Sequence, residues 1–184
     1  SNSFCTLLAA PKAAESTQLV TMADDVPVLK NFSWVVEGRI AGSAYPKGEP
    51  DAVVAELKRH GFKTVVDLTE NENAPLTAAK QANGIAAVQI AVKDFGAPAP
   101  EQMDAMAALA VNEASWPMLV HCRAGIGRTG TMLAVAVDAL VRAGLHDPVP
   151  DVVDHVRGLR KGSLEVAEQV TEFAKWQESK RTKQ

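Results

Sequence analysis

The run PMLVHCRAGIGRTGTMLAVAVDALVRAG, residues 117–144, constrains the fold more tightly than any other part of the chain. PMLVHC is a short apolar strand. It passes directly into a turn containing Gly125, Gly127 and Gly130, and then into an apolar helix beginning near Thr129. A strand that crosses a tight glycine turn into a helix opens a βα unit, and such units imply a parallel sheet covered by helices. Two chemistries compete for the turn. The three glycines spell G-x-G-x-x-G, which seats a dinucleotide pyrophosphate on a helix N-terminus. Cys122 and Arg128, with five residues between them, instead place a thiol and a guanidinium at the two ends of one anion-sized loop.

The rest of the chain tests which unit this is. SWVVEGRIAGS alternates like a hairpin at a sheet edge, closed around Glu37 and Gly38. EPDAVVAELKRHG reads as a helix, with Pro50 in its first turn, acids early, bases late and Gly61 as its C-terminal cap. KTVVDLT is a β-branched strand of the doubly buried kind, PLTAAKQANG a shorter helix ending at Gly84, and IAAVQIAV the next strand. KDFGAPAP is a loop, and Pro100 opens a helix over EQMDAMAALAVNEA. After the 117–144 unit only helices follow, in PVPDVVDHVRGLR and in SLEVAEQVTEFAKWQESK, the latter with apolar Leu164, Ala167, Val170, Phe173 and Ala174. The order predicts an α/β fold: a central, mostly parallel sheet flanked by helices. At 184 residues, one domain over 27–184 is expected, preceded by an arm over residues 1–26.

A dinucleotide site needs a second parallel strand ending in an acid about 20 residues beyond the glycines. The acids at that distance, Asp147 and Asp151, lie in HDPVPD, where two prolines forbid a central strand. A nucleotide P-loop fails too, because no lysine follows the glycines.

The thiol reading accounts for every position. Small residues at Ala124, Gly125 and Gly127 let the amides of Arg123, Ala124, Gly125, Ile126, Gly127 and Arg128 turn toward one centre, at the start of a helix. An anion nest of this kind also favours a thiolate, lowering a cysteine pKa to roughly 3.5–7.5. Cys122 is then a nucleophile. Arg128 supplies a planar fork for two phosphate oxygens, which lysine cannot copy. Thr129 can hydrogen-bond the thiolate, and His121 is expected to orient the loop through its ring rather than act as a base. Net charge of −3 gives no long-range attraction for nucleic acid or anionic membrane, so neither is expected as a partner. Only two cysteines, Cys5 and Cys122, fit a reducing compartment, and a cytoplasmic location is expected.

HCRAGIGRTG resembles the signature loop of the dual-specificity branch of the protein tyrosine phosphatase superfamily. NFSWVVEGRIAG, VVDLTE, VKDFGAPAPEQ, RTGTMLA and RGLRKGSLEVAEQ extend the resemblance over nearly all of residues 31–176, toward the small atypical, VHZ-type members. Lys161 stands where such relatives commonly carry proline. The resemblance implies a phosphocysteine intermediate, no metal and no cofactor. It places the general acid at Asp94, 28 residues before Cys122 (122 − 94). It also puts Glu165 and Gln169 beside the pocket as water-orienting residues, and Asp67 and Glu70 as braces of the signature loop. The implied activity is removal of phosphate from phosphotyrosine, and more slowly from phosphoserine and phosphothreonine, in a phosphoprotein or peptide, by a monomer. A phosphoinositide or RNA 5′-phosphatase, and a non-catalytic phosphate-binding module, share the fold as alternatives. The uncharged Ala124 and Ile126 favour a pocket for one phosphate and an apolar ring.

Overall fold

The computed structural model describes residues 27–181, so the expected arm over 1–26, with Cys5, lies outside the described residues. Among these residues five strands form one sheet: β1 (Ser33–Val36), β2 (Ile40–Ala44), β3 (Thr64–Asp67), β4 (Ala86–Gln89) and β5 (Met118–Cys122). Their spatial order is β1-β2-β5-β3-β4. The β1–β2 hairpin is antiparallel, and every other pairing is parallel. The sheet is thus the α/β arrangement the sequence predicts, with β5 at its centre. Among the described residues six α-helices surround it: α1 (Pro50–Arg59), α2 (Ala74–Ala82), α3 (Pro100–Val111), α4 (Gly127–Arg142), α5 (Val152–Leu159) and α6 (Ala167–Arg181). None of the described helices is long and apolar enough to cross a membrane.

Alternation along β5 divides the core. Met118, Val120 and Cys122 pack with Met103 and Met106 of α3, Met132 and Leu133 of α4, and Phe173 and Trp176 of α6. Leu119 faces the other way, joining Ala41 and Val65 with Val53, Val54 and Leu57 of α1 and Leu76 of α2. The helix after the signature turn is buried at every residue from Gly127 to Leu140. A helix buried on all sides must lie in the centre of the domain, and the loop before it follows β5 at the C-terminal edge of the parallel strands.

Several boundaries differ from the sequence reading: α3 ends at Val111, before a 3-10 turn over Glu113–Ser115, β4 is shorter than IAAVQIAV, α5 is shorter than PVPDVVDHVRGLR, and two further differences bear on the site. Helix α4 starts at Gly127, two residues before Thr129, so its first turn is part of the loop. The last helix starts at Ala167 rather than Ser163. Leu164, buried as expected, has φ +52 and follows Gly162 at φ +85, a left-handed turn that no helix can contain. Asp151 is the N-cap of α5, its side chain accepting from the Asp154 N–H at 2.9 Å.

Candidate active site

Cys122 is the last residue of β5 and is 3% exposed. Its Sγ accepts the Gly125 N–H at 3.3 Å, so the loop after the strand curls back over the sulfur. Gly125 has φ +71, and an added Cβ would lie within 3.0 Å of the Ser43 carbonyl and the Ala44 nitrogen. Only glycine satisfies both conditions. The outer side of the loop is tied to distant segments. The Tyr45 N–H donates to the Arg123 carbonyl at 3.3 Å. Asn31 Nδ2 donates to the carbonyls of Ala124 (3.2 Å) and Gly125 (3.0 Å), and Arg160 Nη2 to that of Gly125 (2.7 Å).

Arg128, in the first turn of α4, is 5% exposed. Its Nη1 donates to the Val92 carbonyl at 2.9 Å and the Leu68 carbonyl at 3.4 Å, which aims the fork along the strand ends. Its Nη2 bonds Asp94 Oδ1 at 2.6 Å. Asp94 is held in place by its own main chain, whose N–H donates to Glu70 Oε2 at 3.1 Å. Gln169, 1% exposed, reaches from α6 to the Gly96 carbonyl at 3.0 Å. Gln169 and Glu165 also stand within 3.1 Å of where a Cβ on Gly127 would be, which shows how closely they cover the loop. A pocket of about 210 Å³ is lined by Asp94, Phe95, Cys122, Arg123, Ala124, Gly127, Arg128, Glu165 and Gln169. Phe95 stands 65% exposed at its edge with φ +58.

The structure brings Cys122, Arg128, Asp94, Glu165 and Gln169 together and moves several other residues elsewhere. His121 does not bond the loop. It lies on the opposite sheet face from Cys122, with Nδ1 3.7 Å from Asp67 Oδ1 and Tyr45 edge-on at 5.3 Å. Complete burial pushes its pKa down to about 4, Lys80 adding to the fall and Asp67 opposing it. Asp67 accepts from the Thr69 N–H (2.8 Å) and hydroxyl (2.7 Å), so it shapes the turn after β3 rather than the signature loop. Glu70 braces the Asp94 segment instead of the signature loop. The buried Thr129 hydroxyl makes no hydrogen bond among the described residues and does not contact the thiol as expected. Ile126 does not line the pocket; its Cγ2 packs toward Gly162.

Sequence reasoning missed Asn31, Phe95 and Arg160. Arg160 is 5% exposed and also donates to Ser33 Oγ (2.7 Å) and the Gly42 carbonyl (2.9 Å). Burial pushes its pKa down, and the nearby Cys122 opposes that fall. A guanidinium buried under an anion loop has a sequence signal only in the paired arginines of RGLR.

Comparison with known proteins agrees with this geometry. The family model described as Swiss Army Knife protein, DSP-PTPase phosphatase domain, matches residues 29–173. Tk-PTP in its active form is 27% identical, with a TM-score of 0.66 over 80% of this chain and 97% of that one. A kinase-associated phosphatase with serine at its catalytic cysteine is 19% identical, with a TM-score of 0.65 over 85% of this chain and 97% of that one. TpbA of P. aeruginosa is 18% identical, with a TM-score of 0.54 over 82% and 84%; the last two likenesses are of fold. With a model match from Leu29 to Phe173 and the signature loop at the end of its central strand, the chain belongs to the Swiss Army Knife DSP-PTPase family, a phosphatase of the cysteine-dependent superfamily.

Proposed function

We propose that the protein hydrolyses aryl phosphates of the phosphotyrosine type, and alkyl phosphates of serine and threonine more slowly, through a phosphocysteine. The observation that carries this reading is the meeting of Cys122, Arg128 and Asp94 in one small pocket, with Asp94 2.6 Å from the arginine fork.

The Cys122 thiolate attacks phosphorus, forming a P–S bond as the P–O bond to the leaving group breaks. Asp94 gives that oxygen its proton. Arg128 and the loop amides hold the three equatorial oxygens as charge develops. Water, oriented by Glu165 or Gln169, then attacks phosphorus. The P–S bond breaks, Cys122 leaves as thiolate, and Asp94 takes the water's proton. In the free pocket Asp94 rests on Arg128, and an arriving phosphate dianion competes for the same donors. Phe95 at the rim supplies an apolar surface for an aryl ring, and one accessible cation, Arg123, suits one phosphate better than several. The substrate is a phosphoprotein or peptide, met by a monomer.

Turnover of aryl phosphate by the wild-type chain and by Cys122→Ser tests the reading. The serine variant should retain phosphate-analogue binding and lose turnover, because its hydroxyl does not ionise in the same nest. Residual activity of a few per cent would refute the covalent route. Higher kcat/KM on soluble phosphoinositides than on phosphotyrosine peptides would refute the substrate class.

A further inference from the structure

The signature loop is bonded on the side facing away from the pocket, and those bonds fix which way its amides point. In a trans peptide the carbonyl of one residue and the N–H of the next point in opposite directions. The carbonyls of Arg123, Ala124 and Gly125 are each drawn outward by a donor: the Tyr45 N–H, Asn31 Nδ2, and Asn31 with Arg160 together. The N–H groups of Ala124, Gly125 and Ile126 must therefore point inward. Gly125 proves the case, since its N–H reaches Cys122 Sγ.

We propose that Asn31 and Arg160 are positioning residues that hold the 122–128 loop in its anion-binding form by gripping its outer carbonyls. Neither lines the pocket. The proposal rests on the reading of the loop as a phosphate site given above. Arg160 suits the task because its two terminal nitrogens reach β1, β2 and the loop at once, through Ser33 Oγ, the Gly42 carbonyl and the Gly125 carbonyl. It also leaves a positive charge under the thiolate. Asn31 suits it because asparagine tolerates the left-handed backbone at φ +51 that aims its amide at the loop. Its exposed position separates its effect from the core.

The test compares wild type, Asn31→Gly, Asn31→Asp and Arg160→Met. Orthovanadate is the anion probe, and iodoacetamide alkylation of Cys122 is followed against pH. Glycine keeps the backbone conformation and removes only the amide, so Asn31→Gly should fold with an unchanged circular dichroism spectrum. It should bind vanadate about five- to thirtyfold more weakly, the size of one or two lost hydrogen bonds, and its alkylation midpoint should move to higher pH. Asn31→Asp should lose more, because a carboxylate repels the two carbonyls. Arg160→Met should move both readouts in the same direction where it folds. A folded Asn31→Gly with vanadate affinity within about twofold of wild type and an unmoved alkylation midpoint would overturn the clamp, since a merely structural asparagine alters neither. Failure of the wild type itself to bind vanadate would sink the phosphate reading instead, and the clamp with it.

Discussion

Arg128 directs one guanidinium edge to the main chain and the other to Asp94, so a single side chain joins the loop after Cys122 to the loop that carries Asp94. This pairing occupies the arginine edge that an arriving phosphate would need. The Asp94 side chain and a phosphate therefore compete for one guanidinium. Asp94→Asn should slow hydrolysis most where the leaving oxygen is basic. Phenyl phosphate should lose on the order of 10²–10⁴-fold, and an activated nitrophenyl ester distinctly less. Equal losses on the two esters would transfer the acid role to Glu165. The same variant has no carboxylate to compete for the arginine, so inorganic phosphate should inhibit it at lower concentration than wild type.

Among the elements, the decisive contact joins α4 to the segment before α6. Gly130 sits so close to Ser163 that a Cβ there would fall within 3.0 Å of the serine's Cα, Cβ and Oγ. Gly130→Ala should cost roughly 1–3 kcal/mol through overpacking, read as a lower urea midpoint, and Ser163→Gly in the same chain should return part of it. If the single variant unfolds at the wild-type midpoint, the segment can move away and does not clamp the helix. Most elements were legible in the sequence, because β-branched runs, apolar periodicity and the caps at Gly61 and Gly84 agree with one another. The start of α6 was not. Leu164 continues the helical apolar spacing, yet it reaches the core from a left-handed turn, and periodicity alone cannot tell these apart.

Across the whole molecule, a polar group of Asp67, Lys80 and His121 lies buried behind the central strands. Burial holds the His121 pKa at about 4, well below the ordinary 6.5. Between those values the unfolded chain binds a proton that the folded chain refuses, so stability is complete above pH 6.5 and falls as pH drops toward 4. Urea midpoints should decline over that window, and His121→Asn should flatten the decline. An unchanged slope would place the acid sensitivity elsewhere. At this scale the candidate site was only half legible. Cys122, Arg128 and Asp94 carry their chemistry in local motifs. Asn31 and Arg160 do not, because an asparagine or arginine side chain becomes a loop brace only when the fold brings it to a carbonyl. Asn31 meets Gly125 across 94 positions, and Arg160 meets Ser33 across 127. That span has a temporal consequence. During synthesis Cys122 and Arg128 emerge before Arg160, and closing so long a loop awaits the rest of the core. The growing chain therefore carries its Cys122–Arg128 segment before the Arg160 brace exists, so the braced form of the loop reports that both flanks of the fold have arrived.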